Sequence, residues 1–346
     1  MTKPKISVIV PLYNAERFIR QCLISVLSSK FQDYEVLVVD DCSTDNSVAE
    51  VMKIAPHFDG RLKIFQTETN SGSPGVPRNF GIKSSSGEYV TFVDNDDMIL
   101  PTALGYFALF ADMYAADVVY SEKYFTLAED KPLTAENLKP AYCTAVKELI
   151  TMPTLESSDL CERIRRDIAQ KFFVLPWGKC YRRDFLLDNG IYFPQLPYAE
   201  DLTFCFKCLC LAKNYLRIPH MTNVRRQVTH SASKGLVSTH AEGTRRWLKV
   251  ACTNMRIIDE FMGGLEFFKQ NPDCRRDVFD YYVGVNFNIL KDLFIGCAPH
   301  EVAGFFFDEL QNPELDPKGK DIIAAYLFTQ RALRPAMKSQ EVEAGT

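Results

Sequence analysis

The chain has 346 residues, 47% of them hydrophobic and 24% charged, with a formal net charge of -4. That length and balance suit about two globular domains and exclude a mainly disordered or collagen-like chain. A net negative chain has no global field for capturing DNA or RNA, so no nucleic-acid partner is expected and any nucleotide must be held by a local site.

There are 11 cysteines, an odd number, and the first residues lack the apolar stretch of a signal peptide. Both features fit free thiols in a reducing cytosol. No apolar run reaches the roughly 18 residues that would mark a membrane span. Cys205, Cys208 and Cys210 lack a second ligand pair at zinc spacing and read as one face of a buried helix.

In chain order, strand and helix patterns alternate. Residues 6–10 form a β-branched apolar run ended by Pro11, and residues 15–29 carry apolar side chains at helical spacing. Residues 34–39 read as a second strand, and Ser43 to Ser47 offer helix-capping chemistry. A third strand is expected at 62–65, a helix at 77–84, a fourth strand at 88–93 and a helix at 102–114. Such alternation predicts right-handed βαβ units and a mostly parallel, Rossmann-like central sheet with flanking helices. Ligands bind at the carboxyl ends of such strands. That puts the loops 11–16, 40–45 and 94–97 on one functional edge.

Residues 118–120 suggest another strand, the pattern weakens over 130–171, and order returns at Leu175 with a helix at 201–212 and a strand at 215–218. Beyond Ser238 only helical stripes occur, one through Trp247, Ala251, Met255 and Ile258, another through Phe279, Tyr282 and Asn286. The expected organisation is a domain at 1–235, in halves 1–120 and 121–235, followed by an all-helical region at 236–346. Trp247, Phe267, Phe268, Phe305 and Phe306 look exposed, and with Arg331, Arg334 and Lys338 near the end they admit four roles for that region. It could pack on the first domain, serve acceptor access, make a peripheral membrane contact, or self-associate into a homodimer.

Chemistry concentrates at the strand ends. Asp94, Asp96 and Asp97 crowd three carboxylates into Val93-Asp94-Asn95-Asp96-Asp97. Like charges this close repel unless a cation neutralises them, and a hard divalent ion shared with phosphate oxygens is the usual partner. A solvated acidic turn is the plain alternative. In Pro11-Leu12-Tyr13-Asn14, Tyr13 can stack on a base, whereas the glycine-rich turn of a dinucleotide fold and the Gly-Lys of a P-loop are both missing. In Asp40-Asp41-Cys42-Ser43-Thr44-Asp45 a carboxylate can accept a ring N–H, or the turn can simply cap a helix.

Together these segments resemble family 2 glycosyltransferases of the GT-A type. The resemblance rests on Pro11-Leu12-Tyr13-Asn14, Asp40 to Asp45, Asn70-Ser71-Gly72 through Arg78-Asn79-Phe80-Gly81, and Asp94-Asn95-Asp96-Asp97. It implies a GT-A domain that binds a nucleotide-sugar, most simply a UDP-hexose or UDP-N-acetylhexosamine. Pro11, Tyr13, Asn14 and Asp41 would line the uridine side, while Arg78, Asp94 and Asn95 would reach the donor sugar or phosphates. Asp96 would hold Mn2+ or Mg2+. In the second half, Tyr198-Ala199-Glu200-Asp201 resembles the family's Glu-Asp signature, which makes Asp201 the base that activates an acceptor hydroxyl. An Asp is ionised at neutral pH without special tuning.

Trp177, Lys179 and Glu200 would lie on the acceptor side; in a segment resembling the family's basic stretch, Arg226 would be a diphosphate or lid contact and His230 could stand in for the family's metal-binding His. Val228 departs from that stretch, where many relatives carry Arg or His. The implied reaction is an inverting transfer to a glycan, glycolipid or glycoprotein in polysaccharide synthesis, in the cytoplasm or at the inner face of the membrane. A nucleotidyltransferase is the first rival, although the loop 11–16 lacks the glycine and lysine that grip a triphosphate. A non-catalytic binding protein is the second.

Overall fold

The structure, a computed structural model, describes residues 3–142, 149–170, 174–228, 240–293, 299–313, 315–325 and 327. The chain divides into two compact units, Met1–His230 and Ser231–Thr346.

The first unit begins β1 (Ile6–Leu12), α1 (Ile19–Leu27), β2 (Tyr34–Asp40), α2 (Ser47–Ile54), β3 (Leu62–Gln66), α3 (Gly75–Ser84) and β4 (Tyr89–Phe92). It continues through β5 (Met98–Ile99), α4 (Ala103–Met113), β6 (Val118–Ala128), β7 (Lys139–Tyr142), β8 (Thr154–Leu155) and α5 (Leu160–Gln170). It closes with β9 (Lys179–Arg182), α6 (Arg183–Asp188), α7 (Glu200–Leu211) and β10 (Tyr215–Gln227).

The strands form one mixed sheet in the order β3-β2-β1-β4-β9-β6-β10-β5, with β7 beside β6 and β8 beside β10. From β3 to β4 all pairings are parallel, as the βαβ alternation predicts. Beyond β4 the sheet changes character, because β9 inserts antiparallel between β4 and β6. The strand expected at 118–120 extends to Ala128 and pairs parallel with β10. These joins link segments far apart in sequence, so no local pattern announces them.

Period-two alternation gives the sheet two cores. Ile6, Val8, Val10 and Leu12 of β1 pack with α1, α2 and α4 residues such as Leu23, Val51 and Phe107. Ile9 faces the other way, into a core with Ile82, Phe193, Phe204 and Leu209. There α3 lies so close that a Cβ on Gly81 would sit 2.5 Å from the Ile9 side chain. The motif glycine at 81 is therefore a packing requirement. Cys205, Cys208 and Cys210 are buried on α7, and the nine described cysteines are all free.

Because β1, β2 and β4 are parallel, their carboxyl ends share one edge. Leu12 lies opposite Asp40, so the loops that follow start level.

The second unit comprises α8 (His240–Gly264), α9 (Glu266–Gln270), α10 (Pro272–Leu293) and α11 (Pro299–Gln311), with residues 317–325 also helical. Three aromatics expected on its surface are instead inside it. Trp247 is buried and its Nε1 donates to the Asn286 carbonyl at 2.9 Å, while Phe268 and Phe306 are also buried. Their helical stripes face neighbouring helices of the same unit. Arg331, Arg334 and Lys338 lie outside the described residues. No helix among the described residues is long and apolar enough to cross a membrane.

Candidate active site

The loops after β1 and β2 are stitched together at the functional edge. Asn14, at a left-handed φ of 45°, donates its N–H to Ser43 Oγ at 3.0 Å and accepts from Thr44 N–H at 2.8 Å. Ala15 N–H donates to Ser47 Oγ, and Glu16 N–H to Asp45. Asn14 thus holds the loop from within. Tyr13 beside it is 47% exposed, so its ring face is open to a planar ligand.

Asp41 is buried, and the loop after β3 surrounds its carboxylate. Thr67 Oγ1 donates to Oδ1 at 2.8 Å, Ser71 Oγ donates to Oδ2 at 2.8 Å, and Ser71 N–H is shared between both oxygens. Asn70 Nδ2 donates to the Asp41 carbonyl, and Gly72 takes a φ of 62° that suits glycine. The Asn-x-Gly motif therefore cradles Asp41. Thr67 and Ser71 were not expected in this role.

Past β4, the three carboxylates diverge. Asp94 turns to Arg78, whose Nη2 donates to it at 2.8 Å. Asp97 is buried and accepts the Arg226 N–H at 2.8 Å. Asn95 Nδ2 donates to the Pro11 carbonyl at 3.0 Å, tying this turn to the first loop. Asp96 is half-buried. Burial and the nearby Asp94 charge push its carboxyl up to about 6, and burial with Asp96 and Asp94 pushes Asp97 well above the usual range.

The crowded carboxylates therefore part: Asp94 is held by the Arg78 guanidinium and Asp97 by the Arg226 backbone N–H. Among the described residues no trio of Asp, Glu, His or Cys could hold a metal. That leaves Asp96, a single hard oxygen donor, as the turn's candidate for a divalent cation.

Arg226 is not at a ligand surface. It is buried beneath the acidic turn, where its Nε donates to the Asp96 carbonyl at 3.2 Å. Its Nη2 donates to Gln21, and its guanidinium lies 5.3 Å from the Phe18 ring. Its role as a phosphate or lid contact is corrected to support of the turn. His230 lies outside the described residues.

Two acceptor-side expectations are corrected in the same way. Trp177 is only 3% exposed, with its ring edge-on to Tyr124 at 5.2 Å, so no flat face is offered to a sugar. Lys179 is buried, its Nζ donating to the Leu175 carbonyl at 2.6 Å and lying 4.5 Å from the Tyr120 ring centre. Both sit where β9 enters the sheet interior.

Helix α7 brings the remaining acids in. Its N-cap, Ala199, has a φ of 62° and no capping side chain. Glu200 and Asp201 occupy the first turn and reach Arg78, whose Nη1 donates to Glu200 at 2.8 Å and to Asp201 at 3.0 Å. Burial and the adjacent Glu200 push the Asp201 carboxyl well above the usual range, with Arg78 opposing them. This environment, in which burial and Glu200 raise the carboxyl against Arg78, corrects the expectation of an untuned Asp.

Asn79, the motif residue after Arg78, clamps α3 to the segment before α7. Its side chain donates to the Phe193 carbonyl at 2.8 Å and accepts the Phe193 N–H at 2.9 Å. It carried no expected role of its own.

Residues 7–173 match the family model for glycosyl transferase family 2. The chain is 38% identical over 206 residues to the poly(ribitol-phosphate) beta-N-acetylglucosaminyltransferase TarS of Staphylococcus aureus, covering 59% of this chain and 32% of the relative. It is 32% identical over 212 residues to a poly(ribitol-phosphate) beta-glucosyltransferase of Bacillus spizizenii, covering 60% and 30% respectively. The chain thus spans about a third of the length of these two relatives. The crystal structure of S. aureus TarS 1–349 with UDP-GlcNAc superposes with a TM-score of 0.58 at 26% identity, over 96% of this chain and 92% of that one.

Proposed function

We propose that the chain, whose residues 7–173 match the family model for glycosyl transferase family 2, moves a sugar from a UDP-sugar to an acceptor hydroxyl with inversion at the anomeric carbon. The observation that carries this reading is the meeting of Asp94, Glu200 and Asp201 around Arg78, at the carboxyl edge of the parallel strands. Tyr13 offers a ring for the uracil, with Pro11, Asn14 and the cradled Asp41 shaping that end of the cleft. Asp94 and Asn95 lie towards the ribose and sugar.

Asp201 accepts the acceptor proton as the acceptor oxygen attacks the anomeric carbon. The acceptor O–H bond breaks, the new glycosidic bond forms, and the bond from the anomeric carbon to the diphosphate oxygen breaks on the opposite face. UDP carries away the electron pair. A divalent ion, Mn2+ or Mg2+, held through Asp96 would supply charge neutralisation for the leaving diphosphate. The substrates in the relatives' names favour an N-acetylhexosamine or hexose donor and a polyol-phosphate glycopolymer acceptor. Such chemistry belongs in the cytoplasm or at the inner face of the membrane. The second unit is a place for acceptor or homodimer contacts.

The test is a donor panel of UDP-GlcNAc, UDP-glucose, UDP-galactose and GDP-mannose, scored for nucleotide release with Mn2+ or EDTA and with poly(ribitol phosphate) as acceptor. Metal-dependent UDP release from one UDP-sugar, raised by acceptor, is expected. Pyrophosphate release from UTP and a sugar phosphate, with no transfer, would replace this reading with a nucleotidyltransferase.

A further inference from the structure

We propose that Arg78 is a positioning residue that fixes Asp201 relative to the donor-side strand end, and that it makes no contact with the donor. The proposal rests on the glycosyl-transfer reading above. The family resemblance implied a donor contact, but both terminal nitrogens of the guanidinium are held by carboxylates, and its one unpartnered nitrogen, Nε, is itself buried. Arg78 is 4% exposed. Its Nη2 is committed to Asp94, and its Nη1 is shared by Glu200 and Asp201. The Phe193 ring lies against the guanidinium with its centre at 5.3 Å.

The surrounding framework is built to aim this side chain. A Cβ on Gly75, one turn earlier, would fall 2.8 Å from Phe193 Cβ and 3.2 Å from Glu200 Cγ. The first turn of α3 is therefore pressed onto the segment that starts α7, and the Asn79–Phe193 hydrogen bonds lock that contact. Arg78 and Glu200 stand 122 positions apart in sequence. One planar fork joins the end of β4 to the start of α7. A lysine, with one nitrogen and no fork, cannot span Asp94 and Asp201 in the same way.

Asp201 Oδ1 accepts from Arg78 at 3.0 Å, and its carboxyl also shares a hydrogen bond with Glu200. Asp201 remains 15% exposed on its side chain, whereas Glu200 is 3% exposed. The charged and titratable groups around Asp201 are Arg78 from α3, Asp94 from the end of β4, and Glu200 and Cys205 from α7 itself.

The experiment uses the full chain, UDP and UDP-GlcNAc with Mn2+, and the variants Arg78→Lys, Arg78→Gln, Glu200→Gln and Asp201→Asn. Wild-type turnover is measured first, and its absence with every donor would defeat the glycosyl-transfer reading. With turnover present, Arg78→Lys should lower kcat about 100-fold while the Kd for UDP stays within about threefold. The same change on the Asp201→Asn background should cost less than about twofold, because both act through one group. The acid limb of the kcat–pH profile should move up in Arg78→Gln and down by about one unit in Glu200→Gln, since they remove opposite charges from beside Asp201. The Glu200→Gln profile decides the matter if the Arg78 variants fail to fold: an unmoved limb overturns the proposal. So does a UDP Kd that rises in parallel with the fall in kcat, which would make Arg78 a donor contact.

Discussion

Two buried arginines hold glutamates in this protein, and their charge balance differs. Arg217 of β10 is paired with Glu122 and with Glu156 at 3.2 Å, and Arg166 approaches Glu156 at 3.4 Å. Two cations meet two carboxylates, the glutamates are fully buried, and the Ile150 N–H donates to Glu122. Arg78 meets three carboxylates alone, with Asp94 still 28% exposed. The balanced cluster is what a fold needs to bury ions between β6, β8 and β10. The unbalanced cluster carries surplus negative charge at the carboxyl edge of the parallel strands, and unbalanced buried charge of this kind gathers at functional sites.

The comparison is broken most sharply from the balanced side. Arg217→Met should destabilise the protein by about 3–5 kcal/mol, because two buried carboxylates lose their partner. Urea unfolding would measure this, and the folded fraction should bind UDP with wild-type affinity. Loss of UDP binding without loss of stability would erase the distinction between the clusters.

The surplus charge predicts a smaller effect of opposite sign. Folding raises the Asp96 carboxyl from 3.8 to about 6, so the native state holds an extra proton between those values. That contribution to stability is full below pH 3.8 and is lost as pH rises through about 6. At pH 7 without metal the ionised Asp96 then weighs against the fold by at most about 3 kcal/mol. Asp96→Asn should stabilise the metal-free protein at pH 7 and flatten the fall between those pH values. It should also abolish the effect of Mn2+ on UDP affinity. A metal-free melting temperature at pH 7 no higher than wild type would contradict the assignment.

Smallest is Tyr13→Ala, which removes an exposed ring outside both clusters. UDP affinity should fall about fivefold, roughly 1 kcal/mol, by calorimetry, with stability changed by less than about 0.5 kcal/mol. Unchanged affinity would remove Tyr13 from the nucleotide site.

Much of the first half is legible in the sequence because its information is local. The runs that became β1, β2 and β4 are apolar on both faces, and their polar loops follow at once. The turns carrying Tyr13, Asp41 and Asp94 could be placed on one edge before any coordinates. What lies across long sequence separations was not legible. Nothing in the helical pattern of α3 reveals that Arg78 is sealed by acids from α7. The Pro-Trp-Gly-Lys segment gives no sign that β9 enters antiparallel and buries Trp177 and Lys179. Similarly, the spacing of Asp94, Asp96 and Asp97 shows crowding, whereas their divergence depends on Arg78 and Arg226 arriving from elsewhere.

The central claim is that the Arg78 cluster serves chemistry and the Arg217 cluster serves stability, and Asp201→Asn tests it most directly. Turnover and the thermal midpoint are measured on one preparation, with UDP affinity as a control. Burial and Glu200 raise the Asp201 carboxyl, so its charge weighs against the folded state. The account predicts a fall in UDP-sugar turnover of about 100-fold or more, a UDP Kd within about threefold, and a midpoint equal to or above wild type. Near wild-type turnover with a midpoint several degrees lower would contradict it, placing Asp201 with the ions that hold the fold.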